Sequence, residues 1–238
     1  MIGLGTAINI GLIIAGSLCG LAFGRFMKEN LKQTLMMVSG IIVLLLGMSG
    51  AMQYMLVIVN GTLKTTGPML MIISMVAGAV IGELIDLNRW ITVFGDWVKA
   101  KTGNTGDPQF THAFITASLT FTVGAMGVLG SIQDGLTGNY QTLLLKGILD
   151  GIIVMVMVSS MGKGALFSFI PVGITQWIIT AMAHIAAPLM TPSAIDNLSY
   201  VGSILIFCVG IDLIWPGKIR IANLLPAIFV AMGLTFLL

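Results

Sequence analysis

Apolar positions in this chain seldom alternate; they run on for twenty residues or more, broken by short polar or charged stretches. A helix needs about 20 such residues, at 1.5 Å rise each, to traverse roughly 30 Å of hydrocarbon. On that measure the runs at about 2–24, 34–57, 67–87, 110–130, 141–161, 165–190, 197–215 and 221–238 predict eight transmembrane helices. Residues 88–101 differ: Trp90, Ile91, Phe94, Trp97 and Val98 recur at helical spacing, with Arg89, Asp96, Lys99 and Lys101 on the remainder. That pattern predicts an amphipathic helix lying in the membrane interface. Residues 102–109, TGNTGDPQ, form the clearest polar loop.

Composition fits this reading. Hydrophobic residues make up 57% of the chain and charged residues 8%, against roughly 25% charged in a soluble domain, and the mean hydropathy is +1.04. The expected fold is all-α: a single polytopic helical bundle over 1–238, with lipid as its principal partner. Net charge is +2 and thinly spread, so no nucleic-acid surface is expected. Cys19 and Cys208 lie inside apolar runs and support neither a disulfide framework nor a metal site. The N-terminus lacks the positive region of a secretory signal, and Leu18 before Cys19 is too large for a lipoprotein cleavage site, so 1–24 reads as a retained span.

Lys and Arg set the expected orientation. Under eight crossings Arg25, Lys28, Lys32, Arg89, Lys99, Lys101, Lys163, Lys218 and Arg220 fall on one side and Lys64 on the other. The expected location is a bacterial plasma membrane with both termini outside. One internal likeness bears on symmetry: VSGIIVLLLG at 38–47 resembles VGSILIFCVG at 201–210, and each precedes a proline-started apolar run, at Pro68 and Pro226. These stretches would cross in opposite senses, as inverted repeats of secondary transporters do.

The stretch 121–151, FTVGAMGVLGSIQDGLTGNYQTLLLKGILDG, breaks the pattern. Glycine weakens a helix by about 1 kcal/mol per residue, and an ionisable group at membrane depth costs at least about 2.5 kcal/mol. Lys146 and Asp150 share a helix face and read either as an ion or proton site with its countercharge or as a self-neutralising pair. Lys before Asp is the less favourable order for the helix dipole, which argues mildly against a purely stabilising role. Gln133 and Asp134 are either solvated turn residues or the lining of a re-entrant segment across 131–139. Gly124, Gly127 and Gly130 either admit a neighbouring helix or mark a helix break. Gln176, after Pro171 and Gly173, is a structural patch or a pathway residue. Asn9, Ser49 and Gln53 are weaker candidates of that kind.

Gly16, Gly20 and Gly24 read as a packing stripe, within one chain or between copies of a homo-oligomer. Glu83, Asp86 and Asp212 fall near the basic ends of spans, where solvation suffices. His112 and His184 stand without the acidic or cysteine neighbours a metal site would need. No nucleophile elbow, phosphate loop or HExxH is present. No catalytic residue, metal or cofactor is therefore expected, and the protein is not expected to be an enzyme.

The motif FTVGAMGVLGSIQDGLTGN followed by LLLKGILDG resembles the signature of a bacterial inner-membrane family of unknown function, the YqgA/YdfK-type proteins. The opening GLGTAINIGLIIAGSLCGLAFGRFMKENLKQTLM and the late KIRIANLLPA resemble its other common stretches. The resemblance implies a multi-pass plasma-membrane protein of a kind often described as a transporter. It brings no substrate and no assigned site residues. The residues themselves point to a small secondary transporter of an ion or small polar solute, with a channel or a membrane-embedded structural or lipid-modifying protein as alternatives.

Overall fold

A computed structural model of the chain describes residues 1–24, 26–123, 125–186 and 191–236. Helices α1 (Leu4–Gly24) and α2 (Glu29–Met55) lead to an antiparallel hairpin, β1 (Leu56–Val59) and β2 (Thr62–Thr65). After α3 (Pro68–Ile85) and α4 (Leu87–Lys101) come α5 (Phe110–Thr122), α6 (Ala125–Thr137) and α7 (Gln141–Met161). A 3-10 turn (Lys163–Ser168) leads into α8 (Phe169–Ala181), and α9 (Ala183–Ala186), α10 (Pro192–Ile214), α11 (Ile221–Leu224) and α12 (Pro226–Leu234) follow.

The all-α membrane class holds. Among the described residues six segments are long and apolar enough to cross a bilayer: α1, α2 from Asn30, α3, α7, Lys163–Ala181 and α10. The pair α5–α6 passes the same measure together but is bent by 60°, the geometry of a broken span or a re-entrant loop, so the count is six or at most seven. The expected eighth crossing is a shorter apolar stretch, Ile221–Leu234. The fourth span was expected to end near 130, with 131–139 as a loop or a re-entrant segment; the chain instead stays helical through 125–137, which removes the plain loop, and the 60° bend fits the broken or re-entrant helix expected near the centre. The second span ends at Met55, because Asn60 and Gly61 both take positive φ (52° and 74°) and turn the chain into the hairpin. Two left-handed central residues are what a two-residue hairpin turn requires. The seventh span starts at Pro192, where the Thr191 hydroxyl accepts the Ala194 N–H and caps the helix. Residues 187–190 of the expected sixth span, and 237–238 of the eighth, lie outside the described residues.

Glycines set the helix pairings. A Cβ on Gly16, Gly20 or Gly24 would meet Gly151, Met155 or Ser159, so α1 and α7 run parallel with their backbones nearly in contact. The glycine stripe of the first span is thus a packing face within one chain. Helices α2 and α10 run antiparallel: Gly40 faces Leu213 and Ile214, Gly47 faces Phe207, Gly50 faces Ser203, and Gly210 faces Leu44. Gly78 and Gly82 of α3 meet Ala227 and Asn223, an antiparallel register again.

The two similar stretches 38–47 and 201–210 therefore pack on each other. Contacts of Leu44 with Gly210 and of Gly47 with Phe207 centre the crossing near Leu45 and Cys208, which are equivalent positions of the two stretches. A two-fold axis relating two halves of opposite direction would pass through such a point.

These registers bring Lys28, Lys32, Arg89, Lys163, Lys218 and Arg220 to one end of the bundle, hereafter the basic end; Arg25 lies outside the described residues. Helix α4 begins at that end, with its Asn88 N–H bonded to Asn223 Oδ1 at 2.6 Å. It packs Phe94 and Val98 against Phe110 and Phe114 and leaves Trp90 and Trp97 exposed, as an interfacial helix does. Met1 lies beside Gly138, and Thr235 accepts a hydrogen bond from Asn197, which places both near the opposite end.

Candidate functional site

The break between α5 and α6 is the centre of the site. Val123 N–H still bonds to Leu119, closing α5, and α6 sets off 60° away. Gly124 lies outside the described residues. Three hydroxyls of this region, Ser118, Thr120 and Ser131, donate to carbonyls four residues back in their own helices, a habit that bends helices. The Thr122 hydroxyl at the break is buried and has no partner among the described residues.

Against the break lies a cavity of about 300 Å³. Its walls come from α2 (Val43, Leu46, Gln53, Tyr54), from the break (Thr120, Phe121, Val123, Met126, Gly127), from α7 and from α10 (Ser199, Ser203, Ile206). The α7 wall carries Lys146 and Asp150, both inside the bundle at 7% and 6% exposure and joined to each other by a hydrogen-bonded ion pair. They are the charged groups of the lining; most of the rest is apolar. Gly127 permits this arrangement, since a Cβ there would sit 3.3 Å from the Lys146 Cε.

Two more of the expected residues stand close behind. Gln176 of α8 is 3% exposed, its amide nitrogen is turned toward Gly127, and neither amide atom has a partner among the described residues. Asn9 of α1 is wholly buried against Gly147, one turn from Asp150, and its side chain is a hydrogen-bonding neighbour of that carboxylate. Buried amides are nearly always bonded, so the unpartnered amide of Gln176 singles out this part of the bundle. Together they place Lys146, Asp150, Gly127, Gln176 and Asn9 in one polar cluster.

The other candidates go elsewhere. Asp134 is buried at the start of α1, where its Oδ2 accepts the Gly5 N–H at 3.0 Å; it caps a helix instead of lining the cavity. Gln133 accepts the Thr142 hydroxyl at 2.7 Å and ties α6 to α7. Gly130 lets α6 approach Leu143 and Thr142 of α7. Of the weaker candidates, Gln53 lines the cavity and Ser49 is exposed on the outer face of α2.

A second feature was hidden from the sequence. His112 and Asp212, a hundred residues apart, meet at 3.2 Å between Nε2 and Oδ2. Asp212 is 6% exposed, and its other oxygen accepts the Gly217 N–H at 2.8 Å, closing the turn after α10. The pair lines a cavity of about 380 Å³ near the basic end, with Thr92, Thr111, Thr116 and Arg220. Arg220 also bonds Glu83 at 3.0 Å. The two cavities lie on either side of one packed layer: Leu119 and Thr120 line different cavities, as do Asp212 and Ile206, about 9 Å apart along α10. Val43, Leu119, Phe121 and Val209 belong to one buried apolar cluster, of which Val43 and Phe121 line the first cavity and Leu119 the second. Among the described residues no group of three or more His, Cys, Asp or Glu could hold a metal ion.

Comparison with known proteins agrees with the sequence resemblance. The chain is 27% identical over 235 residues to an uncharacterized membrane protein, YdfK, of Bacillus subtilis, covering 98% of this chain and 96% of the relative. It is 24% identical over 240 residues to an uncharacterized protein, YqgA, of Escherichia coli, with the same coverage. No solved structure matches the chain. The family model described as protein of unknown function (DUF554) matches residues 4–236, and with that span this chain belongs to the DUF554 family.

Proposed function

We propose that this membrane protein is a small secondary transporter of an ion or small polar solute, working at the Lys146–Asp150 cavity. The observation that carries the reading is a buried ion pair lining a cavity at the break of a spanning helix. Ionisable residues inside a bundle mark substrate and ion pathways, and broken helices supply backbone groups at such sites. A carrier is favoured over a channel because one buried apolar cluster, containing Leu119, Phe121 and Val209, adjoins both cavities. The enzyme reading is weaker. His112 and Asp212 supply a base with an orienting carboxylate, but the adjacent Thr111 hydroxyl donates to Asp96 at 2.6 Å.

The positive-inside rule sets the basic end in the cytoplasm of a bacterium and both termini outside. The lightly covered α3, which exposes Met69, Ile72, Val76 and Leu84, faces lipid or a second copy of the chain. The test is uptake of labelled ions and small polar solutes into liposomes containing the purified protein. Uptake that saturates in the wild type and is lost in Asp150→Asn is expected. Unsaturating flux far above about 10³ per second, the upper range of ordinary turnover, indicates a channel. Uptake equal in both proteins refutes the site.

A further inference from the structure

Charge balance in the central cavity restricts what it can hold. Lys146 and Asp150 neutralise each other, and among the described residues no other charged side chain contributes to the lining. Around them stand Val43, Leu46, Phe121, Val123, Leu149 and Ile153, with Gln53, Tyr54, Thr120, Ser199 and Ser203 as neutral polar neighbours; this mainly apolar surface offers dipoles but no countercharge to an uncompensated ion. A cation entering alone would pair with Asp150 only by displacing the Lys146 ammonium, leaving one net charge in the cavity. An anion alone would do the same to Asp150. Removing the partner of a buried charge is strongly unfavourable, so either event opposes binding.

A ligand carrying one charge of each sign escapes this penalty. Its anionic group takes the place of Asp150 beside Lys146, its ammonium takes the place of Lys146 beside Asp150, and the site stays neutral throughout. The spacing suits such an exchange: four residues along α7 separate the two attachment points by about 6 Å of helix rise. The apolar walls suit a ligand whose remainder is hydrocarbon, and 300 Å³ lies at the small end of ligand sites. The unpartnered amide of Gln176, aimed at Gly127 beside Lys146, offers one donor and one acceptor behind the pair without changing the charge count.

Resting on the transport reading of this site, we infer that its substrate class is a small zwitterion with an apolar remainder, of the kind an aliphatic amino acid represents. Singly charged solutes and simple inorganic ions are poor ligands here.

The experiment is thermal unfolding of the purified full-length protein in detergent. The zwitterionic probes are glycine, alanine, leucine, phenylalanine and γ-aminobutyrate. Isopentylamine and 4-methylpentanoate each carry one of leucine's charges, and sodium chloride and potassium chloride serve as ion controls. A concentration-dependent rise in melting temperature with leucine or another zwitterion is expected, with each singly charged analogue at least tenfold weaker. The rise should persist in Lys146→Arg, which keeps both charges, and vanish in the charge-free Lys146→Met/Asp150→Leu protein. Stabilisation by an amine, an acid or a salt equal to that by the zwitterions, lost in the charge-free variant, overturns the substrate class and leaves the site standing. A protein shifted by none of the probes, or shifted equally in the charge-free variant, overturns the inference and the site together.

Discussion

Replacing Lys146 by Met and Asp150 by Leu, singly and together, separates what the pair does for stability from what it does for function. Both side chains are 9% exposed and bonded to one another, so each single substitution strands a charge inside the bundle. Breaking a buried pair this way costs about 3–5 kcal/mol, whereas replacing both members by apolar groups of similar volume is often neutral or stabilising. Two single losses of that size against a double loss near zero give a nominal coupling of about 6 kcal/mol or more. The stranded group has relief available by turning to Gln176 or Asn9. A measured coupling of about 3 kcal/mol or more is therefore expected, at the top of the range for residues in contact. Equilibrium unfolding of the four proteins in mixed detergent micelles, followed by the native tryptophans, provides the measurement. The double variant is expected to be as stable as the wild type and inactive in solute uptake. Single losses that simply add, within about 0.5 kcal/mol, would refute the claim that these buried charges neutralise each other.

Two further outcomes test the architecture. Gly16→Ala and Gly11→Ala lie in the same helix and should have opposite signs. A Cβ at Gly16 runs into the Gly151 carbonyl, an overpacking cost of about 1–3 kcal/mol, while Gly11 has nothing within 4 Å and gains about 1 kcal/mol of helix propensity; unfolding midpoints of the two variants decide it. For orientation, Lys64→Cys and Lys218→Cys in a background lacking Cys19 and Cys208 should react with an impermeant maleimide from opposite faces, Lys64→Cys in intact cells and Lys218→Cys only after permeabilisation. Labelling of both from one side would contradict the register assigned to α2 and α10.

The helical class, most of the apolar helices and the gathering of basic residues at one end were legible because lipid imposes a simple rule on composition and length. The Asn60-Gly61 turn was equally legible in principle, since Asn-Gly between apolar residues is the strongest short-range hairpin signal. It was overlooked because Leu56–Val59 continues the apolar run of α2 without interruption. Lys146 and Asp150 could be read as a pair because helical spacing alone joins them. Asp134 could not be placed, because what it bonds, the Gly5 N–H, lies 129 residues away. Distance in sequence likewise concealed His112 and Asp212, each of which is unremarkable in its local context. The bend between α5 and α6 was half visible: glycines announced a weak helix, but the resumption of α6 as far as Thr137 rests on its packing against Leu143, Thr180 and Ala183.

The glycine seams also divide the bundle mechanically. Helices α1 and α7 touch backbone to backbone at three successive turns, and α2 and α10 interlock through Gly40, Gly47, Gly50 and Gly210, so neither pair can slide internally without collision. Each pair is in effect one stiff beam. The central cavity lies between the beams, with Lys146, Leu149, Asp150 and Ile153 carried by one and Val43, Leu46, Ser199, Ser203 and Ile206 by the other. A movement of one beam against the other would reshape the cavity with both seams closed, and the break between α5 and α6 would be its joint.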